Sequence, residues 1–378
     1  MNTPIEWTET LANEALATPD TEMVRGLRAQ ASGQKVLVES EFATLRGAIL
    51  GNPESVYIPD PFHPSWYASM RSLPKDELAW MAEHRGMHIR DADPKLWEAM
   101  SEGLSTYRNI LESRGVAVIQ TTQPPPDAVL NYTSGWLGKF GRHWAYHAQA
   151  FGEVFGNLLV SFRETQPSIR YNGVEYLEAF MGLFESDPEA VWLTMPDPLP
   201  LPSFVGVGLS PGDIRILPGK RVLVGLGVFD RSDIGKQSVP RSSGNELGVE
   251  VLRRMLAPWG WSVEVVYFDA NFGYHIDTLM PLVSEGLLAV HPEVLLTPLP
   301  YDLASWEQIP LTTTECRAGA GNSVPLSPTA HMVTQSATQF MSDLDARGIE
   351  PIPVPFDEVY AFCGSGLHCA TFSFHRSD

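Results

Sequence analysis

A helix that stops at glycine and runs straight into a short apolar strand recurs three times along this chain of 378 residues, and the recurrence narrows the folds open to it. Leu96, Met100, Leu104, Tyr107 and Leu111 keep helical spacing up to Arg114, Gly115 ends the helix, and 116–119 follows as a strand. Glu246 to Leu256 repeats the unit with Leu247, Val251 and Met255 on one face, a stop at Pro258 and Gly260, and a strand over 263–267. Met332 to Arg347 gives the third helix, which ends at Gly348 before Ile349 and the proline-spaced segment 351–355. Such units occur in any α/β fold, but their repetition favours a repeated α/β module over separate domains.

Residues 1–35 are polar and acidic and read as an N-terminal extension holding one helix. The globular pattern opens at Lys35-Val36-Leu37-Val38; 45–50, closed by Gly51, reads as a buried strand, and 279–283 with 287–290 as a hairpin-like pair. Pro124-Pro125-Pro126, the alternating prolines at 196–202 and the polar stretch 236–244 break the chain, but none is long enough to act as a flexible linker. Residues 36–378 are therefore expected to form one body with large surface loops.

A net charge of −19, from 26 Lys+Arg against 45 Asp+Glu, repels phosphate backbones and anionic lipid, so neither nucleic acid nor a membrane is expected as a partner. The acidic start lacks the character of a signal peptide and no apolar run approaches about eighteen residues, so a cytoplasmic protein is expected. Three cysteines, Cys316, Cys363 and Cys369, are too few and too clustered for a disulfide framework, which makes Asn131-Tyr132-Thr133 a chance glycosylation sequon.

The last sixteen residues carry the chemistry. Cys363-Gly364-Ser365-Gly366-Leu367-His368-Cys369 puts a cysteine just after a glycine-rich turn, where backbone approaches a ligand closely and a thiolate can meet a substrate carbon. Cys369 is the candidate nucleophile, with Gly366 and His368 expected at the substrate beside it. Upstream, Tyr274-His275-Ile276-Asp277 follows a predicted strand. If that stretch is extended, His275 and Asp277 share a face, an imidazole that titrates near neutrality beside a carboxylate that orients it or holds substrate. Alone, a His-x-Asp is more often structural; joined to the cysteine turn it reads as an acid/base site.

His143 and His147 stand one helical turn apart but lack a metalloprotease glutamate and a third ligand, and the six-residue step from Cys363 to Cys369 is not that of a zinc ribbon. No metal and no other cofactor is expected. Gly206-Val207-Gly208-Leu209-Ser210-Pro211 has the look of a dinucleotide turn, yet proline replaces its last glycine and no helical run follows at once.

The order His-x-Asp, then a C-terminal glycine-rich His-Cys, resembles the amidinotransferases that act on glycine, inosamine phosphate and lysine. Three segments carry the likeness: Glu41 to Gly51, Leu252 through Asp277, and Gly364 to Thr371, which is the closest. The resemblance implies an α/β propeller of five ββαβ modules around a pseudo-fivefold axis, an active site in the central channel, and a homodimer. It also implies ping-pong chemistry in which Cys369 takes the amidino group of arginine and passes it to a small amine acceptor, with His275 as acid/base and Asp277 near the guanidinium. Carried over further, Asp213 and Ser210 fall at the family's Asp-x-x-Asp run, where Asp213 keeps the second acid and Ser210 replaces the first. Another family aspartate falls at Ala150 or its neighbours, with Glu153 the nearest acid, and the arginine that grips the donor's carboxylate is replaced near Val294. A buried guanidinium without its carboxylates is costly, so the alternative to arginine-driven amidino transfer is the same Cys-His chemistry on another substrate, as acyl or amide transfer or amidine hydrolysis. A non-enzymatic binding protein on a degenerate propeller is the third reading, which the joint presence of His275, Asp277 and Cys369 opposes.

Overall fold

The computed structural model describes residues 20–62, 73–123, 147–162, 176–197, 206–236, 239 and 241–378. His143, the Asn131 sequon, Pro124-Pro125-Pro126 and the prolines from 198 to 202 lie outside the described residues. Short strands make five small sheets. The first three strands, β1 (Leu37–Val38), β2 (Leu45–Leu50) and β3 (Ala117–Ile119), belong to a sheet shared with the last strand of the chain.

The four sheets between them are wired alike. In β4 (Gly152–Phe155), β5 (Leu158–Ser161) and β6 (Val191–Thr194), the first two strands form an antiparallel hairpin, the helix Leu177–Ser186 crosses over, and the third strand returns parallel to the middle one. β7 (Ile214–Leu217), β8 (Arg221–Val228) and β9 (Ser262–Asp269) repeat this around the helix Glu246–Leu256. β10 (Leu282–Ser284), β11 (Leu287–Val290) and β12 (Glu307–Pro310) do so around Tyr301–Ala304. β13 (Val324–Ser327), β14 (Ala330–Thr334) and β15 (Glu350–Val354) do so around Thr338–Asp345. In the shared sheet, β16 (Thr371–Arg376) lies antiparallel to β2, and β2 pairs in parallel with β3 across the helices Lys75–Glu83, Ile89–Ala92 and Pro94–Ser113. With the C-terminal strand standing first, this sheet has the ββαβ wiring of the other four.

The sequence explains most of these elements locally. In the helix Pro94–Ser113, Asp93 caps the start by accepting from Leu96 N–H, proline occupies a position with no helical donor to lose, and Met100, Leu104, Tyr107 and Leu111 form the buried stripe. Gly115, at φ 80°, ends the run where the reading puts the stop. The helix Glu246–Leu256 matches its expected bounds but buries Val249, Leu252 and Leu256, while Leu247 is exposed. The third unit differs more: Met332 lies in β14, a wholly buried strand, and the helix begins only at Thr338. A short, fully buried run such as Ala330-His331-Met332-Val333-Thr334 has no period that separates strand from helix. Pro351 and Pro353 sit in β15, an edge strand, where a missing N–H costs no ladder bond.

Within the stretch read as an N-terminal extension, Asp20–Ala31 is a helix whose Leu27 and Ala31 are buried in the same core as the helix Leu177–Ser186. No helix among the described residues is long and apolar enough to cross a membrane.

Candidate active site

Each hairpin is entered through a tight turn, and these turns gather the polar residues. Gln149–Phe151 leads into β4, Pro211–Asp213 into β7, Ile276–Thr278 towards β10, Ala320–Asn322 into β13, and the turn at 367–370 into β16. The 149–151 turn touches 211–213 and β16, 211–213 touches 276–278, and 276–278 touches 320–322. Corresponding places in five modules thus bring Gln149, Asp213, Asp277, Asn322 and Cys369 towards one region.

Cys369 is half-buried. Asn322 Nδ2 donates to Sγ at 3.3 Å, and Sγ lies 3.6 Å from Asp277 Oδ2. Asn322 is fully buried, and its Oδ1 accepts from the backbone N–H of Gly366 at 3.0 Å and of Cys369 at 3.1 Å. Gly366 is glycine for this contact, since a Cβ there would come within 2.9 Å of Asn322 Oδ1. His368 N–H closes the clamp on the Asn322 carbonyl at 3.1 Å.

His368 spends both ring nitrogens on protein partners. Nδ1 faces two acceptors, Gln149 Oε1 at 3.0 Å and Asp277 Oδ2 at 3.1 Å, so it carries the hydrogen. Nε2 then accepts from Arg215 Nη1 at 3.1 Å, and the same guanidinium nitrogen donates to Glu41 Oε2 at 2.8 Å. Glu41 completes its pairing with the Ile216 N–H at 3.0 Å. A buried chain therefore runs Glu41, Arg215, His368, Asp277 to the sulfur.

This chain decides the charge of Asp277. Burial, the largest single influence, opposes its ionisation, but the His368 hydrogen bond and the charges of the neighbouring imidazoles and Arg215 together outweigh it and hold the carboxyl at about 2. His275 goes the other way. Burial, partly offset by Asp277 and reinforced by Arg215 and His368, pushes its imidazole down to about 4, so it is neutral near pH 7. The expected extended His-x-Asp is not what forms: His275 is extended, at φ −124° and ψ 159°, but 276–278 is a 3-10 turn, so the two residues reach the site from a bend. The ring lies on Gly212, where a Cβ would come within 2.4 Å of Nδ1, and against Tyr274. His275 Nε2 and Asp277 Oδ1 are buried with no protein hydrogen-bond partner among the described residues.

Asp213 and Ser210, both fully buried, hold their own turn. Asp213 Oδ2 accepts from Ser210 N–H at 3.1 Å, and the Ser243 hydroxyl lies 2.5 and 2.6 Å from its two oxygens. Val294 is a fully buried core residue. Next to Ala150, Gln149 is buried and bonded to His368, and Glu153 is buried too. Glu41, Gln149, Glu153 and His368, with Val38 and Ile216, are among the residues that line a small cavity leaving about 20 Å³ for water centres, room for one water. Burial, with the charge of Glu41, raises Glu153 to about 8.

Sequence reasoning missed Asn322, Gln149 and Arg215. Asparagine, glutamine and arginine carry no spacing signature, and the one signal available was their place just before, or at the start of, a hairpin. Among the described residues no group of three or more His, Cys, Asp or Glu side chains is arranged to hold a metal ion.

No protein-family model matches the chain, and no curated protein matches its sequence. Solved structures do. SxtG, an amidinotransferase of saxitoxin biosynthesis from Microseira wollei, superposes with a TM-score of 0.72 at 18% identity, over 91% of this chain and 98% of that one. The inosamine-phosphate amidinotransferase StrB1 from Streptomyces griseus gives 0.66 at 18% identity, over 91% and 97%. DDAH from Pseudomonas aeruginosa, solved in complex with citrulline, gives 0.57 at 12% identity, over 88% and 100%. Near-complete coverage at so low an identity speaks for the backbone rather than the chemistry, and on that ground the chain has the fold shared by these two amidinotransferases and DDAH.

Proposed function

We propose that the chain is an amidinotransferase-like enzyme that transfers a group from a small-molecule donor to an amine acceptor through a covalent intermediate on Cys369. The observation that carries this reading is the cluster itself: a half-buried thiol between an ionised Asp277 and a buried amide donor, with the neutral imidazole of His275 at the entry to the Asp277 turn. In this scheme His275 Nε2 takes the thiol proton, and Sγ attacks the electrophilic carbon of the donor. The carbon–nitrogen bond to the leaving amine breaks as His275 returns the proton to that nitrogen. The acceptor amine then attacks the thioester-like or amidino-cysteine carbon, gives its proton to His275, and releases Cys369. Asp277 Oδ1, buried and free of protein donors, faces a positive or N–H-bearing group of the donor. Ser210 and Asp213 form the wall behind His275, and Gly366 with His368 shapes the floor. The five ββαβ sheets are read as blades of an α/β propeller, which the mutual contacts of their lead-in turns support.

A second reading has a specific observation behind it. Asp213 is engaged by Ser243 and Ser210, and Val294 is buried in the core, so Asp277 is the carboxylate bonded into the Cys369 cluster. A guanidinium buried against fewer carboxylates loses affinity, which favours a donor with an amidine, amide or ester over free arginine. Product analysis with arginine and a panel of amines tests both. Ornithine without citrulline supports amidino transfer, citrulline with ammonia supports hydrolysis, and neither product supports the altered donor.

A further inference from the structure

The fully buried Asn322 is tied to Cys369 in two different ways at once, and the two are linked by the geometry of a carboxamide. Its oxygen is fixed by a pair of backbone donors, Gly366 N–H at 3.0 Å and Cys369 N–H at 3.1 Å. A carboxamide nitrogen offers only donors and could not sit opposite two N–H groups, so the assignment of oxygen and nitrogen in this side chain has a single solution. With Oδ1 pinned, the NH₂ group is turned onto Sγ at 3.3 Å, its other contact being the Asp277 carbonyl at 3.5 Å. An N–H aimed at sulfur is worth more to a thiolate than to a thiol, because a hydrogen bond to an ion is the stronger kind. It also opposes Asp277, whose ionised Oδ2, 3.6 Å from Sγ, favours the protonated thiol.

We propose that Asn322 is a catalytic residue that stabilises the Cys369 thiolate through its Nδ2–H, and that the Gly366–Cys369 turn exists in part to aim that donor. The assignment rests on Cys369 being the reacting thiol. Asn322 is then the residue through which the thiol is poised for attack and made a good leaving group when the acceptor arrives, since the bond to carbon breaks towards a thiolate that Nδ2–H receives.

The full-length protein tests this without any substrate. The rate of iodoacetamide alkylation at Cys369, followed by peptide mapping so that Cys316 and Cys363 are read separately, is measured against pH for the wild type, Asn322→Asp and Asn322→Ala. Aspartate keeps an oxygen for the two backbone N–H groups but replaces the donor to sulfur by a negative oxygen; alanine removes both. Loss of the donor predicts the order wild type, Ala, Asp: the midpoint rises by about one unit or more in Asn322→Asp, so alkylation near pH 7 falls about tenfold, and it rises less in Asn322→Ala. A carboxylate at 322 raises the midpoint by its charge alone, as Asp277 does, so Asn322→Ala decides between the two roles: a midpoint unmoved from wild type in Asn322→Ala overturns the assignment. Turnover that survives Cys369→Ala defeats the nucleophile reading on its own, whereas the alkylation titration decides the role of Asn322.

Discussion

Asp277, 3.6 Å from the sulfur, and His275, packed on Gly212 at the entry to the turn that carries Asp277, have opposite titration behaviour, one held charged down to about 2 and the other neutral above about 4. A neutral His275 beside an ionised Asp277 is ready to accept the thiol proton throughout the physiological range. His275→Asn is therefore expected to lower turnover by about 10²-fold, and the acid limb of the wild-type rate profile should fall nearer pH 4 than the ordinary histidine value. An acid limb near about 6.5 would take the base role from His275. Cys369→Ala and Cys369→Ser should abolish turnover, since a hydroxyl lacks thiolate nucleophilicity. Cys316→Ala should not, because burial, aided by Glu315, pushes the Cys316 thiol up to about 12. At this scale the sequence made Cys369, His275 and Asp277 readable through residue type and order. It left Asn322 and Arg215 silent, because what they do depends on atoms from three or four separate turns meeting in space.

β16 joins the site to the core. Its lead-in turn holds Cys369, while Phe372 and Phe374, both buried, pack into the core formed with β4, β5 and the helix Leu177–Ser186. Phe374→Ala should cost about 3–5 kcal/mol by urea unfolding, and Phe374→Leu clearly less, because the cavity left is smaller. Equal effects of the two would show that the ring does not fill that core. Helices with full periods were legible over most of their length: Pro94–Ser113 from Leu96 to its stop at Gly115, and Glu246–Leu256 over its whole span. Ala330–Thr334 was not, because a five-residue buried strand lying against sheet on both sides shows neither a period of two nor of 3.6.

Across the whole molecule, five modules of one wiring enclose buried titratable groups whose shifts set how stability follows pH. His275 and His331 are pushed down by burial to about 4 and about 3, so the unfolded chain binds more protons between those values and about 6.5, and stability drops as pH falls through that window. Glu153 is raised to about 8, so the fold holds a proton that the unfolded chain gives up above about 4.5, and its contribution is lost as pH rises through about 8. Glu153→Gln should flatten that fall, with a Tm advantage over wild type that widens from about pH 5 to about pH 8 and levels off above it; a constant offset would mean that Glu153 does not titrate there. Three of the five modules were visible as helix, stop and strand. The one closed by β16 was among them, but its first strand was not legible, since that strand lies at the opposite end of the chain from its second.

The central claim is a covalent bond at Cys369, and intact-mass spectrometry after rapid acid quench reads it directly. Wild type and Cys369→Ala are incubated with arginine and, in parallel, with amidine, amide and ester donors, without acceptor. The account predicts an adduct on the wild-type protein, about 42 Da for an amidino group and the matching acyl mass for another donor, mapped to Cys369 and missing from Cys369→Ala. An adduct on another residue, or turnover of the same donor by Cys369→Ala, would contradict it.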